Sequence, residues 1–303
     1  MQCFNLEQMK SLDFATLSTQ ERQRWLQNAV VPRPIAFVST LSAKGIPNLA
    51  PFSFFNVMSS QPPILVFSPA LGGKTATPKD TLNNLKEIPE CVINLVHFDI
   101  VQACSLSSSP YLPEINEFEK SGLTPLPSDI VKPARIAESK IQFECRIQNI
   151  IELGNLGGAG NLVLAEVLKM HVAEDLLTAN ETIDPMAMEW VARAGDNWYC
   201  RMVPNGYFEI TKPISTIGIG FDGLPEFVKN HSALNHNTKA FLAGVSSLPD
   251  QERVEECFKN SKIPDNQEDM MHRLEFLIQQ NQVETAWCLL LGFYNYYSGN
   301  SKK

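Results

Sequence analysis

Long hydrophobic runs are missing from this sequence. No stretch reaches the roughly 18 uninterrupted apolar residues needed to cross a bilayer, and the N-terminus lacks the basic-then-apolar pattern of a secretory signal. The expectation is a cytoplasmic protein that makes no use of a membrane. Positive charge is also in short supply, with 25 Lys and Arg against 33 Asp and Glu and a formal net charge of −8. A general nucleic-acid binder needs a basic surface to displace counterions from phosphate, so that class is excluded, while a local anion pocket stays open.

Histidine is scarce. His97, His171, His231, His236 and His272 form no His-x-x-x-His pair, and none stands beside a Cys or carboxylate cluster with metal-ligand spacing. The seven cysteines (Cys3, Cys91, Cys104, Cys145, Cys200, Cys257 and Cys288) contain no Cys-x-x-Cys pair. That argues against a zinc site or a disulfide framework and for reduced, mostly buried thiols. A Gly-x-Ser-x-Gly elbow is absent. The glycine-rich stretch 154–160 has neither Gly-x-Gly-x-x-Gly nor Gly-Lys-Ser/Thr and joins two strand-like segments, so it reads as a hairpin turn. No metal ligand and no catalytic side chain stands out. An enzyme with this sequence would take its reactive atom from a cofactor.

What is present is an ordinary globular composition, 44% hydrophobic and 19% charged over 303 residues. Ser18 stands three residues before Glu21, the spacing of a capping box, and predicts a helix over 18–28 that Pro32 and Pro34 end. From Pro32 to Leu95 short β-branched and aromatic runs alternate with Gly, Pro and Ser, the pattern of antiparallel strands, and predict a small barrel holding a polar ligand. Pro47 and Pro51, four apart, put their missing amides on one side of a strand and mark an edge or a barrel opening. Ser53-Phe54-Phe55-Asn56 suits either the lining of a cavity or an edge strand with solvated Ser and Asn. Lys79-Asp80-Thr81 opens a helix; it reads either as an anion site on free amides or as capping by Asp80 with Lys79 in solvent. Strands are expected at 91–96, 142–153 and 161–172, with a last short one at 206–210, and a helix at 98–106. The segment 185–199, with Arg193, Gly195 and Trp198, suits holding a flat electron-poor ring or covering the core as an exposed turn.

Beyond Gly223 the texture becomes helical, over 226–242, 251–260 and 265–297, with a break around 279–282 where the apolar register shifts. The predicted organisation is a barrel domain over 1–220 and a helical C-terminal extension over 221–303.

Taken together, these residues resemble the flavin reductase-like family. The likeness rests on Pro32-Arg33-Pro34-Ile35-Ala36-Phe37-Val38-Ser39-Thr40, on Asn48-Leu-Ala-Pro-Phe-Ser53-Phe54-Phe55-Asn56, on Lys79-Asp80-Thr81, on Asn94-Leu95 and on Ala192-Arg193-Ala-Gly195 with Tyr199. It covers roughly 15–215 and implies an α+β fold, mainly β: a Greek-key split β-barrel that binds FMN. By that resemblance Ser53 and Asn56 meet the ribityl-phosphate end of FMN and Lys79, Asp80 and Thr81 close around the phosphate. Ser39, Thr40, Phe54 and Phe55 would border the isoalloxazine with Asn94 nearby, and Arg193 and Tyr199 would complete the site. Asp196 stands where the family often has a second glycine, which would put a negative charge near the flavin or the substrate entrance. A homodimer is implied, along with NADH or NADPH as electron donor and a small-molecule acceptor. Two classes follow: an NAD(P)H-dependent flavin oxidoreductase, or an FMN-binding electron carrier without turnover of its own.

Overall fold

The computed structural model describes residues 9–259 and 264–300. Cys3 and Asn260, the latter expected to end a helix, lie outside them. The described chain forms two compact units, one over Lys10–Tyr207 and one from Phe208 onward.

In the first unit, helix α1 (Thr19–Ala29) starts at the expected capping box: the Ser18 hydroxyl accepts from the Glu21 amide while the Glu21 carboxylate accepts from the Ser18 amide. The strands are β1 (Arg33–Pro34), β2 (Ala36–Leu41), β3 (Pro47–Phe52), β4 (Phe55–Ser60), β5 (Pro63–Phe67), β6 (Glu90–Leu95), β7 (Pro125–Leu126), β8 (Arg135–Ile136), β9 (Ile141–Glu152), β10 (Asn161–Val172), β11 (Val191–Arg193) and β12 (Tyr199–Arg201). Between them lie helices α2 (Asp80–Glu87), α3 (Val101–Leu106) and α4 (Glu117–Ser121).

Seven strands form one antiparallel sheet in the order β3-β2-β6-β9-β10-β5-β4. Strands β6, β9 and β10 are successive neighbours, and β5, which precedes them, returns beside β10, a Greek-key arrangement. β3 and β4 are the two outer strands, yet only Ser53 and Phe54 separate them in sequence. Three peptide units reach no more than about 11 Å, so the sheet must curl until its two edges meet at this end. They are not hydrogen-bonded to each other, which leaves the barrel split. Pro47 and Pro51 lie on the edge strand β3, where a missing amide is tolerated.

Strand β2 is buried on both faces, and its alternation sends side chains two ways. Ala36 and Val38 join Leu65, Phe67, Ile93 and Val163 in the barrel core, while Phe37 joins Leu49, Ile100, Phe118 and Ile136 in a second core. Gly45, at φ +77°, makes the turn from β2 to β3. A separate three-stranded sheet pairs β1, β11 and β12. No strand forms at 206–210: Phe208 and Ile210 are 82% and 76% exposed and no neighbour pairs with them.

The second unit contains α5 (Glu226–Lys229), α6 (His236–Leu242), α7 (Gln251–Lys259), α8 (Gln267–Gln279) and α9 (Val283–Asn300) around buried Val228, Leu242, Met270, Leu274 and Trp287. The Trp287 indole donates to the Leu242 carbonyl at 2.7 Å, so the ring is buried without stranding its N–H. The single helix expected over 226–242 is two, because the Asn235 side chain caps a fresh start by accepting from the Thr238 amide at 2.9 Å. The break expected near 279–282 falls between α8 and α9, where Asn281 adopts φ +55°. No described helix is long and apolar enough to cross a membrane.

Candidate functional site

The junction that joins the two edges of the split barrel carries one of the sequence motifs, Ser53 to Asn56. Ser53 is half-buried and Phe54 is 41% exposed, and the Phe54 carbonyl accepts from the Ser68 amide at 2.9 Å, pinning the junction to the end of β5. Phe55 packs against the barrel core beside Phe52. Alternation therefore separates the two rings: Phe54 is the one available to a ligand. Asn56 is exposed, with its side-chain oxygen accepting from the next amide, that of Val57.

Helix α2 begins at Lys79, which holds the extended cap geometry (φ −72°, ψ 153°) but gives no side-chain cap. Asp80 sits inside the first turn instead of capping it. The leading amides of α2 are thus without a side-chain acceptor, and Lys79 is exposed with no ion pair among the described residues. Free amides, the positive end of the helix dipole and a lysine suit a dianionic phosphate.

Four of the expected residues face inward. The Thr81 hydroxyl donates to the Asn48 side-chain oxygen at 2.8 Å, and Asn84 donates to the Thr40 hydroxyl at 3.0 Å. Thr40 in turn donates to the same Asn48 oxygen. Asn48 passes the chain on to the buried carboxylate of Glu117, which also accepts from the Leu49 amide at 3.0 Å. Burial pushes the Glu117 pKa up, opposed by these hydrogen bonds. Ser39 donates to the Ala134 carbonyl; Asn94, fully buried, donates to the Phe37 carbonyl and accepts from the Ile136 amide at 3.0 Å. The side chains of Ser39, Thr40, Thr81 and Asn94 are therefore buried in a hydrogen-bonded frame built on β2, β6 and α2. Asn48, Asn84 and Glu117 were not singled out from sequence. Asn48 lay inside a quoted motif; Glu117 carried no signal, since its partners are 69 and 68 positions away.

Loop 69–79 leads from β5 into α2. The glycine-rich turn between β9 and β10 packs on it: the Leu71 amide donates to the Ala159 carbonyl at 2.8 Å, and Gly158 donates to the Leu71 carbonyl. A Cβ on Gly157 would lie 2.3 Å from the Gly73 carbonyl oxygen. This stretch is the expected hairpin, and its glycine is needed for close approach of two loops.

Arg193 and Tyr199 face each other across β11 and β12, with the guanidinium 4.5 Å from the ring centroid, a cation–π pair. In the β1–β11 pair Arg193 lies opposite Arg33. Asp196 accepts from Asn28 at 3.2 Å and sits 3.9 Å from Arg24, tying the hairpin to α1.

His97 and Cys104 lie in the core. His97 is buried against the Glu138 carbonyl at 2.9 Å, and burial drives the Cys104 thiol up to about 12. Asp129, Glu144 and His171, from three distant segments, do come together within 4.8 Å, a cluster that spacing alone missed. Both Glu144 oxygens are already occupied by the amides of Asp129, Ile130 and Val131 and by His171, and Asp129 pairs with Lys169.

Comparison with known proteins now decides the family. The flavin reductase like domain model matches residues 28–190, which hold β1 to β10 and helices α2 to α4. The chain belongs to the flavin reductase-like family. An uncharacterised protein of Halalkalibacterium halodurans is 43% identical over 187 residues, 61% of this chain and 88% of the relative. Another from Aquifex aeolicus is 37% identical over 172 residues, 57% and 85% of the two chains. Among solved structures, nitrilotriacetate monooxygenase component B from Bacillus cereus superposes with a TM-score of 0.63 at 27% identity, covering 67% of this chain and 98% of its own. Pseudomonas fluorescens 2-nitrobenzoate 2-nitroreductase gives 0.62 at 27%, covering 70% and 100%. This flavin reductase-like chain is thereby a flavin-related oxidoreductase with the split-barrel fold.

Proposed function

We propose that the chain binds FMN at the junction of β3 and β4, takes hydride from NADH or NADPH and passes electrons to a small-molecule acceptor. The observation that carries this reading is the start of α2, which combines amides without a side-chain cap with an exposed Lys79. In this reading Lys79, Asp80 and the first-turn amides take the phosphate, Ser53 and Asn56 take the ribityl end, and Phe54, Arg193 and Tyr199 border the ring. Ser39, Thr40, Thr81 and Asn94 act through the frame, and the flavin-binding and helical domains divide as 1–220 and 221–303. Bound FMN would supply the electron acceptor and donor chemistry; the side chains orient it and shield it from water. The kinship to a monooxygenase component and a nitroreductase supports an enzyme over a carrier.

Two measurements test it. NADH or NADPH added anaerobically to the FMN-loaded protein should bleach the visible flavin band; an unchanged spectrum with both nicotinamides makes the protein an electron carrier. Losing a hydrogen bond to a charged group costs about 1.5–3 kcal/mol, so Lys79→Ala should weaken FMN binding roughly ten- to a hundredfold. Riboflavin, which has no phosphate, should bind unchanged, and equal losses for both flavins would remove the phosphate role from Lys79.

A further inference from the structure

In the helical unit, α7 and α9 bring together two cysteines 31 positions apart. Cys257 and Cys288 line one cleft of about 400 Å³ together with His272, Phe276 and Leu277. Their thiols are in hydrogen-bond contact, and the Cys288 Sγ also lies 3.9 Å from the carbonyl oxygen of Arg253, one turn before Cys257 on α7. Gly292, one turn on from Cys288 in α9, permits this close approach: a Cβ there would run into the ring of Phe258, the neighbour of Cys257. The two sulfurs differ in exposure. Cys257 is half-buried at the cleft wall, whereas Cys288 is only 1% exposed. Burial, and after it the contact with Cys257, pushes the Cys288 thiol up to about 12, so it holds its proton at neutral pH.

We propose that Cys257 and Cys288 are a peroxide-responsive dithiol that closes to a disulfide and staples α7 to α9. Cys257, reached from the cleft, is the sulfur that meets the oxidant, hydrogen peroxide. Its sulfur attacks one peroxide oxygen, the O–O bond breaks, and the Cys257 proton leaves with the other oxygen as water, giving the sulfenic acid. The Cys288 sulfur then displaces the hydroxyl: the S–S bond forms, the S–O bond breaks, and the Cys288 proton leaves with the hydroxyl as a second water. Two thiols lose two electrons in all, and one peroxide becomes two waters. Contact between sulfurs is not enough without access. Cys91 and Cys145 face each other across β6 and β9 and also touch, but both are fully buried, so no oxidant reaches either. The Cys257–Cys288 pair belongs to the helical unit and does not depend on the function proposed above.

Hydrogen peroxide, added in rising excess to the full chain, tests this by intact mass and by peptide mapping without reductant. Wild type should lose about 2 Da, the two thiol hydrogens, and yield a linked peptide pair carrying Cys257 and Cys288, while Cys91 and Cys145 remain open to alkylation after unfolding. Dithiothreitol should restore the mass. In Cys288→Ser the sulfenic acid on Cys257 has no resolving thiol and should be trapped by dimedone, and Cys257→Ser should abolish that trapping. Wild type that keeps both thiols, or whose Cys257 ends as the sulfinic acid, about 32 Da heavier and unlinked, overturns the proposal. A link from Cys257 to any other cysteine or to a second chain does the same. Should either variant not fold, the wild-type peptide map decides alone.

Discussion

Glu144 shows how much of the barrel's electrostatics one side chain holds. Its carboxylate is fully buried, and burial by itself would raise its pKa. Three backbone amides and His171 outweigh that and hold it at about 2, below the ordinary 4.5. A depressed carboxylate stabilises the fold fully above its unfolded pKa, and the contribution fades as pH falls from about 4.5 toward 2, on the order of 3 kcal/mol in all. Glu144→Gln should therefore destabilise the chain by about 1–3 kcal/mol at pH 7 and flatten the acid limb of the stability curve, measured by urea unfolding from pH 7 down to 3. An acid limb as steep as that of wild type would place the proton uptake elsewhere. The same residue-by-residue reading yields a catalytic expectation. His97, His171, Cys91 and Cys104 are committed to structure, so alanine at each should leave reduction of bound FMN within about tenfold of wild type in a stopped-flow anaerobic assay, or about 1.4 kcal/mol in barrier. A thousandfold loss in any one with FMN still bound would reveal a protein acid or nucleophile.

At the scale of elements, the site is held by two loops and one helix start. The chain Thr81, Asn48, Glu117 ties α2 to β3 and α4, and Thr40 with Asn84 ties it to β2. Loop 69–79 is held from outside by the β9–β10 turn, and Gly157 permits the contact. Gly157→Ala cannot be absorbed by a flexible side chain, because its Cβ would meet backbone 2.3 Å away. The variant should lower FMN affinity several-fold through a displaced loop, with a loss of about 1–3 kcal/mol in stability, read by flavin fluorescence titration and urea unfolding. Unchanged values in both would show that the two loops move apart freely. The elements themselves were largely legible in sequence: the capping box before α1, the Gly45 turn, the paired prolines on an edge strand and the break before α9 all have local causes. The strand expected at 206–210 failed because an apolar run becomes a strand only if a neighbour offers its backbone.

At the scale of the molecule, α1 has no buried residue, though Trp25, Leu26, Val30 and Val31 make an apolar surface on and just after it. A lone helix of this length is marginal in water without packing. The edge strand β4 likewise leaves Val57 and Met58 about two-thirds exposed, at 64% and 63%. Covered by a second copy, both surfaces would leave water and both edges would be protected. Light scattering should give about twice the 33.8 kDa chain mass, and Val57→Lys with Met58→Lys should shift it toward one. A wild-type monomer that binds FMN at full affinity would show the site to be complete within one chain.

The sequence by itself determined the class of fold, the order of strands and turns and the family, because each is written in adjacent residues through alternation, capping and turn chemistry. Which of the motif side chains are buried was decided only by the tertiary structure. Ser39, Thr40, Thr81 and Asn94 lie in the right motifs but are turned inward by partners up to 95 positions away. Hydrogen-bond satisfaction in a buried frame is a property of segments brought together by the closing sheet, and no local spacing records it.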